Sequence, residues 1–183
     1  MESIDRLIPV RSRADILRPY RATPVETLLV SHALAREVAP PAAAQMVVVT
    51  CVDPRIDLLL PEGFAFVVRT GGATVGPVLF NVAFALTVPG VEVVAVIGHS
   101  DCRMVGVHDR REEFLAGLAG ISSLDASAGE RLFEAGAASF GSRDAVDHVL
   151  AQSATIRRSL DRVLVAPLFL EVETGDLFQI AAV

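Results

Sequence analysis

Three short aliphatic runs, Met46 to Cys51, Phe64 to Arg69 and Val91 to Ile97, dominate the first half of this sequence, and none alternates with polar residues. A strand with one wet face shows period-two alternation, so uninterrupted β-branched runs of this length predict strands covered on both faces, as in a parallel sheet. The mostly apolar stretch from Val78 to Val88 reads as a buried helix between the second and third runs. Strand, helix and strand in that rhythm make a βαβ unit, and the fold class expected is α/β with a mostly parallel central sheet flanked by helices.

Flanking segments extend this plan. Thr23-Pro24-Val25-Glu26 carries a capping residue, a proline suited to the first helical position and a glutamate that completes a capping box, which predicts a helix from Pro24 to about Glu37. Residues 1–22 form an N-terminal arm, rich in arginine, with room for a short helix. The stretch 109–141 is helical with Gly and Ser interruptions. Ser142 is placed to cap a helix running through Asp144 to Leu150, with a further helical stretch to about Leu160. Val163 to Val172, then Glu173-Thr174-Gly175-Asp176, then Leu177 to Val183 read as a C-terminal antiparallel hairpin. No repeat or linker divides the sequence, and residues 1–183 are expected to form a single domain.

Composition narrows the function. The 16 basic residues are all arginine and are outnumbered by 22 acidic ones, for a net charge of -6. A nucleic-acid binder held by phosphate contacts carries the opposite balance. No segment reaches the roughly 18 apolar residues of a membrane span, and Met1 to Arg6 does not open a secretory signal, so a cytoplasmic location is expected. The two cysteines, Cys51 and Cys102, lack the crowded spacing of a stapled secreted domain. As residues they are compatible with buried thiols, one disulfide or two metal ligands, and a reducing compartment disfavours the disulfide.

In an open α/β sheet, ligands gather beyond the carboxyl ends of the strands. Cys51 and His99 stand at two such ends, and Cys102 follows His99 at the i+3 spacing that places two side chains on one face of a first helical turn. Two thiols and an imidazole are donors that zinc prefers, and three protein ligands with one open position characterise a catalytic zinc site. Beside them, Asp53 and Arg55 form a carboxylate and a guanidinium suited to a bidentate pair, in which the carboxylate either binds the metal or accepts a hydrogen bond from its water.

Cys51-x-Asp53-x-Arg55 followed by His99-x-x-Cys102 resembles the zinc-site signature of the β-class carbonic anhydrases. Arg69-Thr70-Gly71-Gly72 resembles that family's Arg-Asn-Ala-Gly segment, and the hairpin around Thr174-Gly175 resembles its last two strands. The likeness runs from about Met46 to Val183. It implies a zinc enzyme that hydrates carbon dioxide reversibly to bicarbonate through a zinc-held hydroxide. Cys51, His99 and Cys102 match the zinc ligands, Asp53 and Arg55 the catalytic dyad, and Thr70, Gly71 and Gly72 the substrate-facing segment. It also implies a homodimer or higher homo-oligomer, with the N-terminal arm packed on the partner. Two departures stand out: Arg103 occupies the position of a family glycine, and Thr70-Gly71 replaces Asn-Ala. These admit a related hydrolase of carbonyl sulfide or carbon disulfide, or a non-catalytic zinc- or bicarbonate-binding homologue.

Other readings are weaker. Gly98-His99-Ser100-Asp101-Cys102 partly matches the nucleophile elbow of α/β-hydrolases, with Ser100 as nucleophile, but Cys102 stands where that motif wants a small residue and no histidine occurs in the final strands. His32 and His148 are expected in surface or packing roles, and His108 is near enough in sequence to carry protons. Two thiolates cancel the metal's charge, so its water should be less acidic than the value of about 7 typical of a three-histidine site. Stopped-flow CO2 hydration is therefore expected to rise from neutral to mildly alkaline pH, and a flat or falling profile would count against that water as the titrating nucleophile.

Overall fold

The computed structural model describes residues 3–181. Six strands form one sheet, β1 (Leu7–Pro9), β2 (Met46–Cys51), β3 (Ala65–Thr70), β4 (Val93–His99), β5 (Leu164–Leu170) and β6 (Leu177–Ile180), in the order β1-β6-β5-β4-β2-β3. The β3-β2-β4-β5 section is parallel, and β6 and β1 add antiparallel. The helices are α1 (Pro24–His32), α2 (Leu79–Thr87), α3 (Arg111–Ile121), α4 (Ala126–Ala137) and α5 (Ala145–Ser159). The α/β class, the parallel centre and the closing hairpin are as expected.

Alternate residues of β2 and β4 feed two apolar layers. Met46, Val48, Ala95 and Ile97 pack with α1 on one face, while Val47, Val49, Val94 and Val96 pack with α2 and α5 on the other. Both strands are buried at every position, which is why their sequences show no polar alternation. The second apolar run behaves differently. β3 is an unpaired edge, with Phe66 38% and Val67 47% exposed, so it is not covered on both faces.

Helix ends follow local chemistry. Thr23 caps α1 by accepting the Val25 N–H at 3.2 Å, as its sequence predicts. The helix stops five residues before Glu37, because Ala35 turns into the left-handed region (φ 47°) and the Arg36 N–H closes back on the Val30 carbonyl. The interrupted stretch 109–141 resolves into a 3-10 turn, α3 and α4, with Asp125 capping α4. α5 is one helix where two stretches are expected, and Asp144 rather than Ser142 is its cap. Ser142 instead accepts the Asp144 N–H.

The arm packs on its own chain. It contains 3-10 turns and β1, which pairs with β6, while Ile16 and Tyr20 enter the core and Gln179 bonds both Leu17 N–H and the Asp15 carbonyl. Met1, Glu2, Ala182 and Val183 lie outside the described residues. Among those described, no helix is long and apolar enough to cross a membrane.

Gly98 shows how closely the layers approach. A Cβ built there would overlap Val149 Cγ2 of α5. Gly98→Ala is therefore expected to lower unfolding free energy by about 1–3 kcal/mol, read from denaturant melts, with Val149→Ala restoring part of the loss in the double variant.

Candidate metal centre

Register brings the predicted ligands together. Thr50 pairs with Ile97 across β2 and β4, so Cys51 and His99 leave the sheet at one edge, and the turn after β4 carries Cys102 back to them. The Sγ atoms of Cys51 and Cys102 and a ring nitrogen of His99 all lie within 4.8 Å of one another. Both cysteines are free thiols, so the disulfide alternative does not hold here. His99 is 1% exposed. Its Nδ1 lies 2.8 Å from the Ser100 carbonyl oxygen, which can only accept, so Nδ1 carries the proton. The buried Nε2 consequently presents a lone pair, and it has no hydrogen-bond partner. An orphaned buried imidazole nitrogen facing two thiols is a donor set made for a soft divalent cation.

The thiols also suit a cation electrostatically. Cys51 is held well below the usual thiol range, chiefly by a hydrogen bond from Cys102 and further by the Gly72 N–H, whereas Cys102, hydrogen-bonded to Cys51 and buried, is pushed up. The pair readily loses one proton and resists losing the second, because two adjacent thiolates repel; a divalent ion relieves that repulsion.

Asp53 is not in the ligand cluster. Both its carboxylate oxygens accept from Arg55, at 3.0 Å from Nε and 2.8 Å from Nη2, and the Arg55 backbone N–H adds a third bond. These bonds hold Asp53 below the ordinary carboxylate range. Arg55 is shared: its Nη1 lies 3.0 Å from an Asp101 carboxylate oxygen, so one guanidinium ties the Cys51 loop to the His99 loop. Asp101 escapes a reading by motif, since its link to Arg55 depends on the pairing of β2 with β4. Arg69 is a second residue missed as a site member. It donates to the Cys51, Asp53 and Ile56 carbonyls and so shapes the whole loop.

The glycine-rich segment follows β3. The Thr70 hydroxyl donates to the Thr74 carbonyl, and Gly71 lies against Met104. Gly72 has φ 61°, donates its N–H to Cys51 Sγ at 3.3 Å, and leaves no space for a Cβ, which would sit 2.8 Å from Phe140 Cε1. The remaining histidines are anchored. His32 bonds the Gly175 carbonyl and accepts the Leu59 N–H, His108 bonds the Phe140 carbonyl, and buried His148 stacks on Phe140 and contacts Thr74. Ser100 is bonded to Glu171 and the Val172 N–H, not to an imidazole, so it lacks the base that a hydrolase nucleophile needs.

The sequence profile of the carbonic anhydrases matches residues 46–183. The chain belongs to the carbonic anhydrase family. Among solved structures, β-carbonic anhydrase isoform I of Trichomonas vaginalis superposes with a TM-score of 0.65 at 19% identity, covering 84% of this chain and 92% of that one. Carbonic anhydrase from Streptococcus mutans gives 0.62 at 19%, covering 91% and 100%. A carbon disulfide hydrolase in its apo form gives 0.61 at 16%, covering 87% of each chain. At these identities the superpositions speak to the fold, which is that of the β-class enzymes. No curated protein matches the chain by sequence.

Within the carbonic anhydrase frame, Arg103 is exposed and lines a cavity of about 300 Å³ with Asp101, Cys102, Arg110 and Arg143. A cationic wall therefore borders one of the thiols in a chain that is acidic as a whole. Gly72→Ala, which combines a strained φ with a steric overlap, should destabilise the protein by more than about 1 kcal/mol in denaturant melts and weaken zinc binding in titrations. Wild-type values for both would remove Gly72 from the centre.

Proposed function

We propose that this carbonic anhydrase family member is a zinc enzyme interconverting carbon dioxide and bicarbonate, with Cys51, His99 and Cys102 as the metal ligands. The observation that carries the reading is buried His99, with Nε2 unpartnered and a ring nitrogen within 4.8 Å of two thiols. Zinc bound there would act as a Lewis acid that lowers the pKa of a water and makes it nucleophilic toward CO2, most fully at mildly alkaline pH. The chain's own residues do the rest. Arg55 keeps Asp53 ionised, so its carboxylate can accept a hydrogen bond from the nucleophile and fix the direction of its lone pair. Arg55, anchored by both Asp53 and Asp101, offers positive charge to an anionic product. Thr70, Gly71 and Gly72 form a wall on the substrate side whose shape comes from backbone, since the Thr70 hydroxyl is committed to Thr74.

The same reading takes residues 1–183 as one domain that works as a homodimer in the cytoplasm, where reduced thiols persist. Support for a second copy lies at the sheet edge. β3 exposes Phe66 and Val67, and Phe80 and Phe84 of α2, with Val88 just past its end, are 78, 57 and 66% exposed. An unpaired apolar edge beside an apolar helix stripe is a surface that soluble proteins cover.

Stopped-flow CO2 hydration on the zinc-loaded protein tests the proposal. The wild type is expected to turn over, Cys51→Ser to lose activity with its metal, and Asp53→Ala to fall by roughly 10²-fold or more. Full activity in Cys51→Ser would sink the metal mechanism. Turnover of carbonyl sulfide or carbon disulfide without CO2 hydration would move the substrate to the sulfur analogues, and zinc binding with no turnover would favour a binding role.

A further inference from the structure

We infer that Ser100 and Glu171 are positioning residues of the metal centre: acting through the Ser100 carbonyl, they fix the His99 ring so that Nε2 faces Cys51 and Cys102. The inference rests on the metal reading above. A neutral imidazole has two tautomers of similar energy, and only the one protonated at Nδ1 offers Nε2 to a metal. Selection of that tautomer here depends on a single contact, from Nδ1–H to the Ser100 carbonyl at 2.8 Å. Whatever holds that carbonyl therefore holds the ligand.

Ser100 is held from three sides. Its N–H donates to the Leu170 carbonyl at 3.0 Å, its Oγ accepts the Val172 N–H at 3.0 Å, and its hydroxyl proton is given to the Glu171 carboxylate in a short bond. Amide, hydroxyl and carboxylate form a directed chain in which each bond polarises the next. Glu171 is itself fixed at the base of the hairpin, its N–H bonded to the Asp176 carbonyl and its carbonyl to the Gly175 N–H. Immediately after Ser100 the backbone turns through Asp101 at φ 52°, so the intervening carbonyl is set by the pinned residue on one side and a sharp turn on the other. Ser100, which the motif presents as a nucleophile, is instead an anchor, and Glu171 sits outside every motif in the sequence.

Two measurements test this in the full chain. Zinc affinity is read by competition with a chromogenic chelator, and the His99 tautomer by long-range 1H–15N correlation in the metal-free protein. Ser100→Ala and Glu171→Ala are expected to weaken zinc binding roughly 10–100-fold and to mix the tautomers, while Ser100→Thr and Glu171→Gln, which keep the hydrogen bond, stay within about threefold of wild type. If Ser100→Ala does not fold, Glu171→Ala carries the test, because Glu171 follows the strand pairing. Lowered melting temperature with wild-type zinc affinity and an unchanged tautomer would overturn the inference. A wild-type chain that binds no zinc would overturn the metal reading itself.

Discussion

The in-register parallel pairing of Val47–Thr50 with Val94–Ile97 is the constraint on which the rest depends. Hydrogen bonds of this ladder are buried on both faces and cannot be exchanged for water, so the register is locked by two apolar layers at once. A slip of one residue would send Val48 and Ala95 to opposite layers and carry Cys51 away from His99. The chemistry at the sheet edge is thus positioned by aliphatic packing beneath it. The Gly98 contact with Val149 adds the third dimension, since it lets α5 approach close enough to bring His148 toward Gly72.

Over that frame, charges are arranged against the grain of the chain. A protein of net charge -6 places Arg55, Arg69 and Arg103 around its thiols. Arg55 does most, because it contacts a carboxylate from each ligand-bearing loop and so keeps the two loops at a fixed separation. Such an exposed pair is weak as a source of stability. Its value lies in geometry, since a network with several fixed bonds restricts where Asp53 can point.

Legibility followed the range of the interactions. β2 was readable to its end residues because burial on both faces writes itself directly into side-chain type. β3 has the same aliphatic composition yet lies at an edge, and nothing within one chain distinguishes a strand covered by its own helices from one left apolar for other reasons. Local caps were half readable: Thr23 worked as expected, whereas Ala35 in the left-handed region carries no glycine signal and Asp144 displaced Ser142 as cap. The ligand triad was legible through short spacings. Asp101, Arg69 and Glu171 were not, because each acts on a residue brought near only by strand register or by the hairpin.

That last dependence has a consequence in the order of synthesis. Cys51, His99 and Cys102 are all synthesised before Leu164–Leu170 and Leu177–Ile180. The strand beside His99 is Leu164–Leu170, and the carboxylate behind Ser100 comes one residue later. An unfinished chain thus holds every ligand but not the groups that aim them, and its thiols stand exposed to adventitious metal and oxidant until the hairpin closes. Maturation of the centre is in this sense a late event, timed by the arrival of the last two strands.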